Sequence, residues 1–284
     1  VQKDDIKAFE WYSKAAAQGD PSAQRALGLM YVNGRGVQKD DVKAFEWFLK
    51  AAAQGDPSAQ NNLGIMYLNG QGVQKDDVKA FEWYSKAAAQ GDPSAQRALG
   101  LMYVNGRGVQ KDDVKAFEWF LKAAAQGDPS AQNNLGIMYE YGRGIQKDDV
   151  KAFEWYSKAA AQGDPSAQFN LGLMYVNGRG VQKDDVKAFE WFLKAAAQGD
   201  PSAQNNLGIM YEYGRGIQKD NTKAFEWYFK AAKNGNATAQ FNIGQSYLNG
   251  SNGLSKNRVE ALNWLRKSAS NGVVQAKLIL TELQ

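Results

Sequence analysis

Apolar side chains along this chain recur with a helical period, stop, and start again. In residues 20–55, Ala23, Leu27 and Met30 share one arc when positions are placed about 100° apart, flanked by Gly28 and Tyr31. Asp20-Pro21 ahead of them signals a helix start: a capping oxygen, then a proline whose missing N–H costs nothing in the first turn. Asn33-Gly34-Arg35-Gly36 ends that helix, because glycine accepts the left-handed backbone that other residues resist. The pattern then resumes. Asp40 is the expected N-cap of a second helix ending at Gly55. Its inner arc holds Ala44, Phe45, Trp47, Phe48, Ala51 and Ala52, with Lys43, Glu46 and Lys50 opposite. Small residues such as Gly28, Ala44 and Ala51 let helix axes approach closely, and the aromatics, tryptophan included, are expected to fill the core between them. Helices of about a dozen residues do not persist alone in water, so stacking must hold them.

This pair of helices is repeated. Trp11, Trp47, Trp83, Trp119, Trp155, Trp191 and Trp227 stand 36 residues apart, and Trp264 follows 37 residues later. A fixed period of this size marks stacked supersecondary units. The expected architecture is an all-α solenoid of 36-residue helix-turn-helix repeats, forming one domain over 1–284: a partial repeat (1–19), seven repeats (20–272) and a C-terminal capping helix (273–284). The last repeat departs from the others, with Gln245-Ser246 in place of Leu-Met and an extra residue in Gly250-Ser251-Asn252-Gly253. Such departures are expected where an array ends in water. At the other end, Val1-Gln2-Lys3-Asp4 matches Val37-Gln38-Lys39-Asp40. The chain therefore reads as a fragment of a longer protein, and Phe9 and Tyr12 as residues without a partner helix. A monomer is expected, with any end-to-end contact at this N-terminus.

The repeat is carried by Ala23, Leu27, Gly28, Tyr31, Gly34, Gly36, Val37, Asp40, Lys43, Ala44, Trp47, Lys50, Ala51, Ala52 and Gly55. In these positions it resembles the Sel-one-like repeat (SLR) family, relatives of the tetratricopeptide repeats with a slightly longer unit. The resemblance spans essentially the whole chain. It implies a right-handed α-solenoid, with first helices on the concave face and second helices on the convex face, and scaffold or adaptor work. It brings no active site, and it favours a bacterial envelope or exported location while leaving the compartment open. Segments 20–55 and 92–127 are identical, and a 72-residue super-period alternates Phe48-Leu49 with Tyr84-Ser85. Recent duplication and consensus design both fit.

Composition narrows the chemistry. The chain has no cysteine and no histidine, which removes thiolate metal sites, disulfides and the commonest general base. No cofactor or metal is expected. The net charge of +4 is a small difference between 34 basic and 30 acidic side chains mixed along the chain, whereas nucleic-acid binders concentrate theirs, so no nucleic-acid partner is expected. No apolar run is long enough for membrane insertion. Asp40-Asp41 diverge as helix neighbours, and the glycine turn lacks the Gly-Lys-Ser/Thr of a phosphate loop. The chain is not expected to be an enzyme.

Near-identical repeats show, through their differences, what the fold leaves free. The slot of Arg25 becomes Asn61, Arg97, Asn133, Phe169, Asn205 and Phe241. The slot of Val32 becomes Leu68, Val104, Glu140, Val176, Glu212 and Leu248, and that of Asn33 becomes Tyr141 and Tyr213. Positions 25, 26, 29, 32 and 33 form one stripe opposite the Ala23/Leu27/Met30 arc, where packing gives no reason for variation. The expected partner surface is therefore Asn133, Glu140, Tyr141, Phe169, Asn205, Glu212, Tyr213 and Phe241, engaging a protein or peptide. The alternative is a glycan- or peptidoglycan-binding envelope protein using the same stripe.

Overall fold

Helix starts and stops form as their residues dictate. Asp20 accepts a hydrogen bond from the Ala23 N–H (2.6 Å), Pro21 opens the helix, and Gly34 (φ +63°) closes it by donating its N–H to the Met30 carbonyl. Asp40 then caps the next helix through the Lys43 N–H (3.0 Å). The computed structural model describes residues 3–283. Val1 and Gln2, the first half of the N-terminal match, and Gln284, the last residue of the expected capping helix, lie outside them.

The described residues hold sixteen helices and no strand. They belong to two compact units, Val1–Lys147 and Asp148–Gln284. The first contains α1 (Lys3–Ala17), α2 (Pro21–Asn33), α3 (Asp41–Ala53), α4 (Pro57–Asn69), α5 (Asp77–Ala89), α6 (Pro93–Asn105), α7 (Asp113–Ala125) and α8 (Pro129–Tyr141). The second contains α9 (Asp149–Ala161), α10 (Pro165–Asn177), α11 (Asp185–Ala197), α12 (Pro201–Tyr213), α13 (Asn221–Lys233), α14 (Ala237–Asn249), α15 (Arg258–Ser270) and α16 (Val274–Glu282). Within each unit, consecutive helices pack against one another as an α-solenoid does, most extensively within the pair that one repeat supplies.

The core of a repeat is a ring seated on a glycine. Phe48 is 2% exposed and lies so close to α2 that a Cβ on Gly28 would stand 2.5 Å from its edge. Tyr84 sits likewise on Gly64, Phe120 on Gly100, Phe192 on Gly172 and Tyr228 on Gly208. Ala44, Ala51 and Ala52 of α3 are buried around Phe48, with Ala59, Leu63 and Met66 of α4 completing the cluster.

Tryptophan does not occupy this core. Trp47 and Trp119 are half-buried, with Lys50 and Lys122 ammonium groups 4.0 and 4.1 Å from their ring centroids. The physical reason is their place on the edge of the second helix. Each indole leans back onto the junction of the preceding second helix with its own first helix, Trp47 onto the Ala16/Ala23/Leu27 cluster and Trp83 onto that of Phe48. Trp11 on α1 has no such neighbour and is 70% exposed.

Repeats are also joined by polar contacts that hydrophobic periodicity does not register. Gln24 is buried, donates to the Ala16 carbonyl of the preceding second helix (3.3 Å) and accepts from Gln54 at the end of its own repeat (2.8 Å), whose amide also reaches back to the Gly19 carbonyl (2.9 Å). Gln60 with Gln90 and Gln96 with Gln126 repeat the rung, as do Gln168 with Gln198 in the second unit. The second glycine of each turn does more than stop a helix. Gly108 (φ +65°) lies against the Asp77 carbonyl at a distance no Cβ could occupy, and adjacent Arg107 bonds the Asp77 carboxylate through two nitrogens (2.9 and 3.2 Å).

Three substitutions test this packing. Glycine to alanine normally stabilises an exposed helix interior by about 1 kcal/mol. Gly100→Ala should instead destabilise by about 1–3 kcal/mol, because the added methyl collides with Phe120. Urea unfolding with an unchanged midpoint would show that the ring can withdraw freely. Phe120→Ala should cost about 3–5 kcal/mol and the half-buried Trp119→Ala about 2 kcal/mol. The reverse order in the same assay would return tryptophan to the core.

Candidate partner-binding surface

The varying stripe divides into residues that the fold uses and residues that it leaves outside. Tyr141 and Tyr213, the last residues of α8 and α12, are 60% and 63% exposed. Arg143 and Arg215, just beyond the glycine turn, place guanidinium carbons 5.5 and 5.6 Å from the two ring centroids. Each unit thus presents one exposed tyrosine held by an arginine.

The other six expected contact residues are more enclosed. Asn133 and Asn205 are buried (7% and 6% exposed), and Asn205 accepts a hydrogen bond from Asn242 of α14 (3.1 Å). Phe169 is half-buried, its ring centroid 5.7 Å from that of Phe192. Phe241, Glu140 and Glu212 are half-buried. Glu212 accepts the Tyr228 hydroxyl (2.6 Å) and the Asn252 side-chain amide (3.3 Å). Packing therefore does account for part of the variation, because this side of a first helix meets both its own second helix and the next repeat. Arg25 and Arg97 show the same effect, each bonding through Nε to the aspartate that caps the following first helix, Asp56 and Asp128 (3.3 Å each).

In the first unit the stripe opens into a groove of about 400 Å³. Ile65 and Leu68 of α4 form one wall, Leu101 and Met102 of α6 the other, and Tyr84 of α5 lies at its base. Asn61, Arg97, Asn105 and Arg107 supply the polar lining. Where Phe120 forms the base, between α6 and α8, the space shrinks to about 130 Å³. Tyr84 is 3% exposed; burial pushes its hydroxyl pKa up to about 12, against the opposing pull of the Arg97 and Arg107 charges. Burial also raises the pKa of Tyr228, and its hydrogen bond to the Glu212 carboxylate adds to that rise. The Arg107 guanidinium holds the Asp77 carboxyl below the usual carboxylate range. Sequence reasoning missed this groove. Its signals were the 72-residue Phe/Tyr alternation at position 84 and the arginine at 97, both visible in the repeats but meaningful only once their side chains meet.

Among the described residues no helix is long and apolar enough to cross a membrane. The Sel1 repeat model matches residues 1–20, 21–56, 57–92, 93–128, 129–164, 165–200, 201–236 and 237–273, one residue later than the register read from the aspartate caps. The chain is similar to c5321, a protective antigen of uropathogenic Escherichia coli strains displaying an SLR fold, with 41% identity and a TM-score of 0.84. That match covers 100% of this chain and 61% of the antigen, so the chain spans about three-fifths of that relative's length. A Sel1 repeat protein from Oxalobacter formigenes is 38% identical over 97% of this chain and 80% of its own, with a TM-score of 0.79. The immunity protein PA5088 from Pseudomonas aeruginosa shares the fold alone, at 21% identity and a TM-score of 0.52 over 75% of this chain and 80% of its own. Comparison with curated proteins gives no match. Eight matched repeats, two relatives well above 30% identity and the ring-on-glycine helix pairs lead to one conclusion: the chain belongs to the Sel1 repeat family.

Proposed function

We propose that this chain is a non-enzymatic scaffold that binds a protein or peptide partner on the face built by its first helices. Sel1 repeat proteins generally mediate protein–protein interaction, and the chemistry of this face suits that work. The observation that carries the reading is the exposure of Tyr141 and Tyr213, at equivalent positions where other repeats place asparagine. Neither ring is buried in its unit, and each is steadied by an arginine. A tyrosine so held offers a large amphipathic surface and loses little entropy when a partner covers it. Glu140, Phe169, Glu212 and Phe241 are half-buried and supply the surrounding surface. Asn133 and Asn205 are buried beneath that surface, and Asn205 is tied to Asn242 of the next first helix.

A partner recovered by cross-linking and pull-down from the source organism provides the test. The double substitution Tyr141→Ala and Tyr213→Ala should weaken its binding by more than about 1 kcal/mol, roughly fivefold or more in Kd. Melting temperature should stay near that of the parent, because both rings are mostly outside the core. Unchanged affinity in titration calorimetry would move the contact surface to the second helices or the turns.

A further inference from the structure

The second unit shows what satisfies a tyrosine in this slot. Tyr84 and Tyr228 are equivalent residues four repeats apart, and their rings are seated alike, at the van der Waals limit of Gly64 and Gly208. The Tyr228 hydroxyl donates to the carboxylate of Glu212, sixteen residues earlier on the neighbouring first helix. At Tyr84 that position is Leu68, which offers no acceptor. The Tyr84 hydroxyl makes no hydrogen bond to any described residue, although the side chain is 97% buried (3% exposed) and lines the groove. The hydroxyl is not sealed in the core but opens into the groove, where it is a donor that an incoming acceptor can take.

The surroundings select the kind of acceptor. Arg97 lines the same groove and uses only its Nε on Asp128, which leaves its terminal amino groups for a second anion. Its equivalent beside Tyr228 is Phe241, where the carboxylate comes from within the chain. Ile65, Leu68 and Leu101 enclose the rest of the space with apolar surface.

We propose that the Tyr84 groove receives the glutamate side chain of a partner segment whose neighbouring residues are apolar. The incoming carboxylate accepts the Tyr84 hydroxyl as Glu212 accepts that of Tyr228, and Arg97 donates to its other oxygen. The apolar neighbours of that glutamate cover Ile65, Leu68 and Leu101. This assignment rests on the reading of the chain as a partner-binding scaffold and names the chemistry of one contact.

The experiment uses the intact chain and a displayed library of random peptides, with Leu68→Glu as the counter-target. Leu68→Glu installs the residue found at Glu140 and Glu212, and Tyr84→Phe installs that of Phe48, Phe120 and Phe192, so both changes already occur within this fold. Peptides retained by the parent and rejected by Leu68→Glu should carry a glutamate between apolar residues. In fluorescence anisotropy, changing that glutamate to glutamine should weaken binding about tenfold, and Tyr84→Phe should remove the difference. Selected peptides without an acidic residue, or equal affinity of the glutamate and glutamine forms, would overturn the carboxylate assignment while leaving the scaffold reading in place. Peptides indifferent to both substitutions would overturn the groove itself. Loss of partner binding in the Tyr141/Tyr213 variant, by contrast, tests the scaffold reading alone.

Discussion

Everything in this chain depends on how closely a second helix can approach the first. The aromatic ring at position 48 and its equivalents rests on the bare backbone of a glycine, at a distance that leaves no room for a methyl group. That contact brings two short helices together tightly enough for dispersion and apolar burial to hold them, which neither helix could achieve alone. It also explains the surrounding alanines, buried at Ala44, Ala51 and Ala52, since larger side chains would separate the axes.

Once the pair is set, its edges become the means of joining repeats. The tryptophan reaches back over the preceding cluster, Gln24 donates to the Ala16 carbonyl of the preceding second helix, and the Phe45 ring meets Tyr67 edge-on (5.4 Å). The turn adds a backbone contact at Gly108 and an ion pair from Arg107 to Asp77. Exposed ion pairs contribute little by themselves. Here the arginine, the glycine and the carbonyl they address act on one point of the neighbouring helix, so they fix where the turn lies.

The same constraint sorts the varying stripe of the first helices. A side chain that varies between repeats has two possible destinations, the seam to the next repeat or the solvent. Asn205 bonds across the seam, Phe169 packs on the cluster shared by its own second helix and the next first helix, and Tyr141 and Tyr213 go to the solvent. Tyr84 takes an intermediate position, with its ring in the core and its hydroxyl in a groove, because the slot that Glu212 fills elsewhere is held by Leu68. The open space at Tyr84 arises from the mismatch between a tyrosine and the residue sixteen positions before it.

Period, helix count, cap residues and family were all legible in the amino-acid sequence, because they follow from local rules that act within a few residues: Asp-Pro starts, glycine stops and an apolar arc every turn. The exposed tyrosines could be placed on the first-helix stripe for the same reason. What periodicity could not give was the sorting of that stripe. Periodicity places Asn133 at the surface and Trp119 in the core, whereas the structure buries the first and leaves the second half-covered under a lysine. Both depend on the neighbouring repeat, which lies about 36 residues away and fills or leaves open the space beside each side chain. The Tyr84 groove is of the same kind. Its residues come from two first helices, the second helix between them and a turn, and only tertiary packing brings them to one cavity.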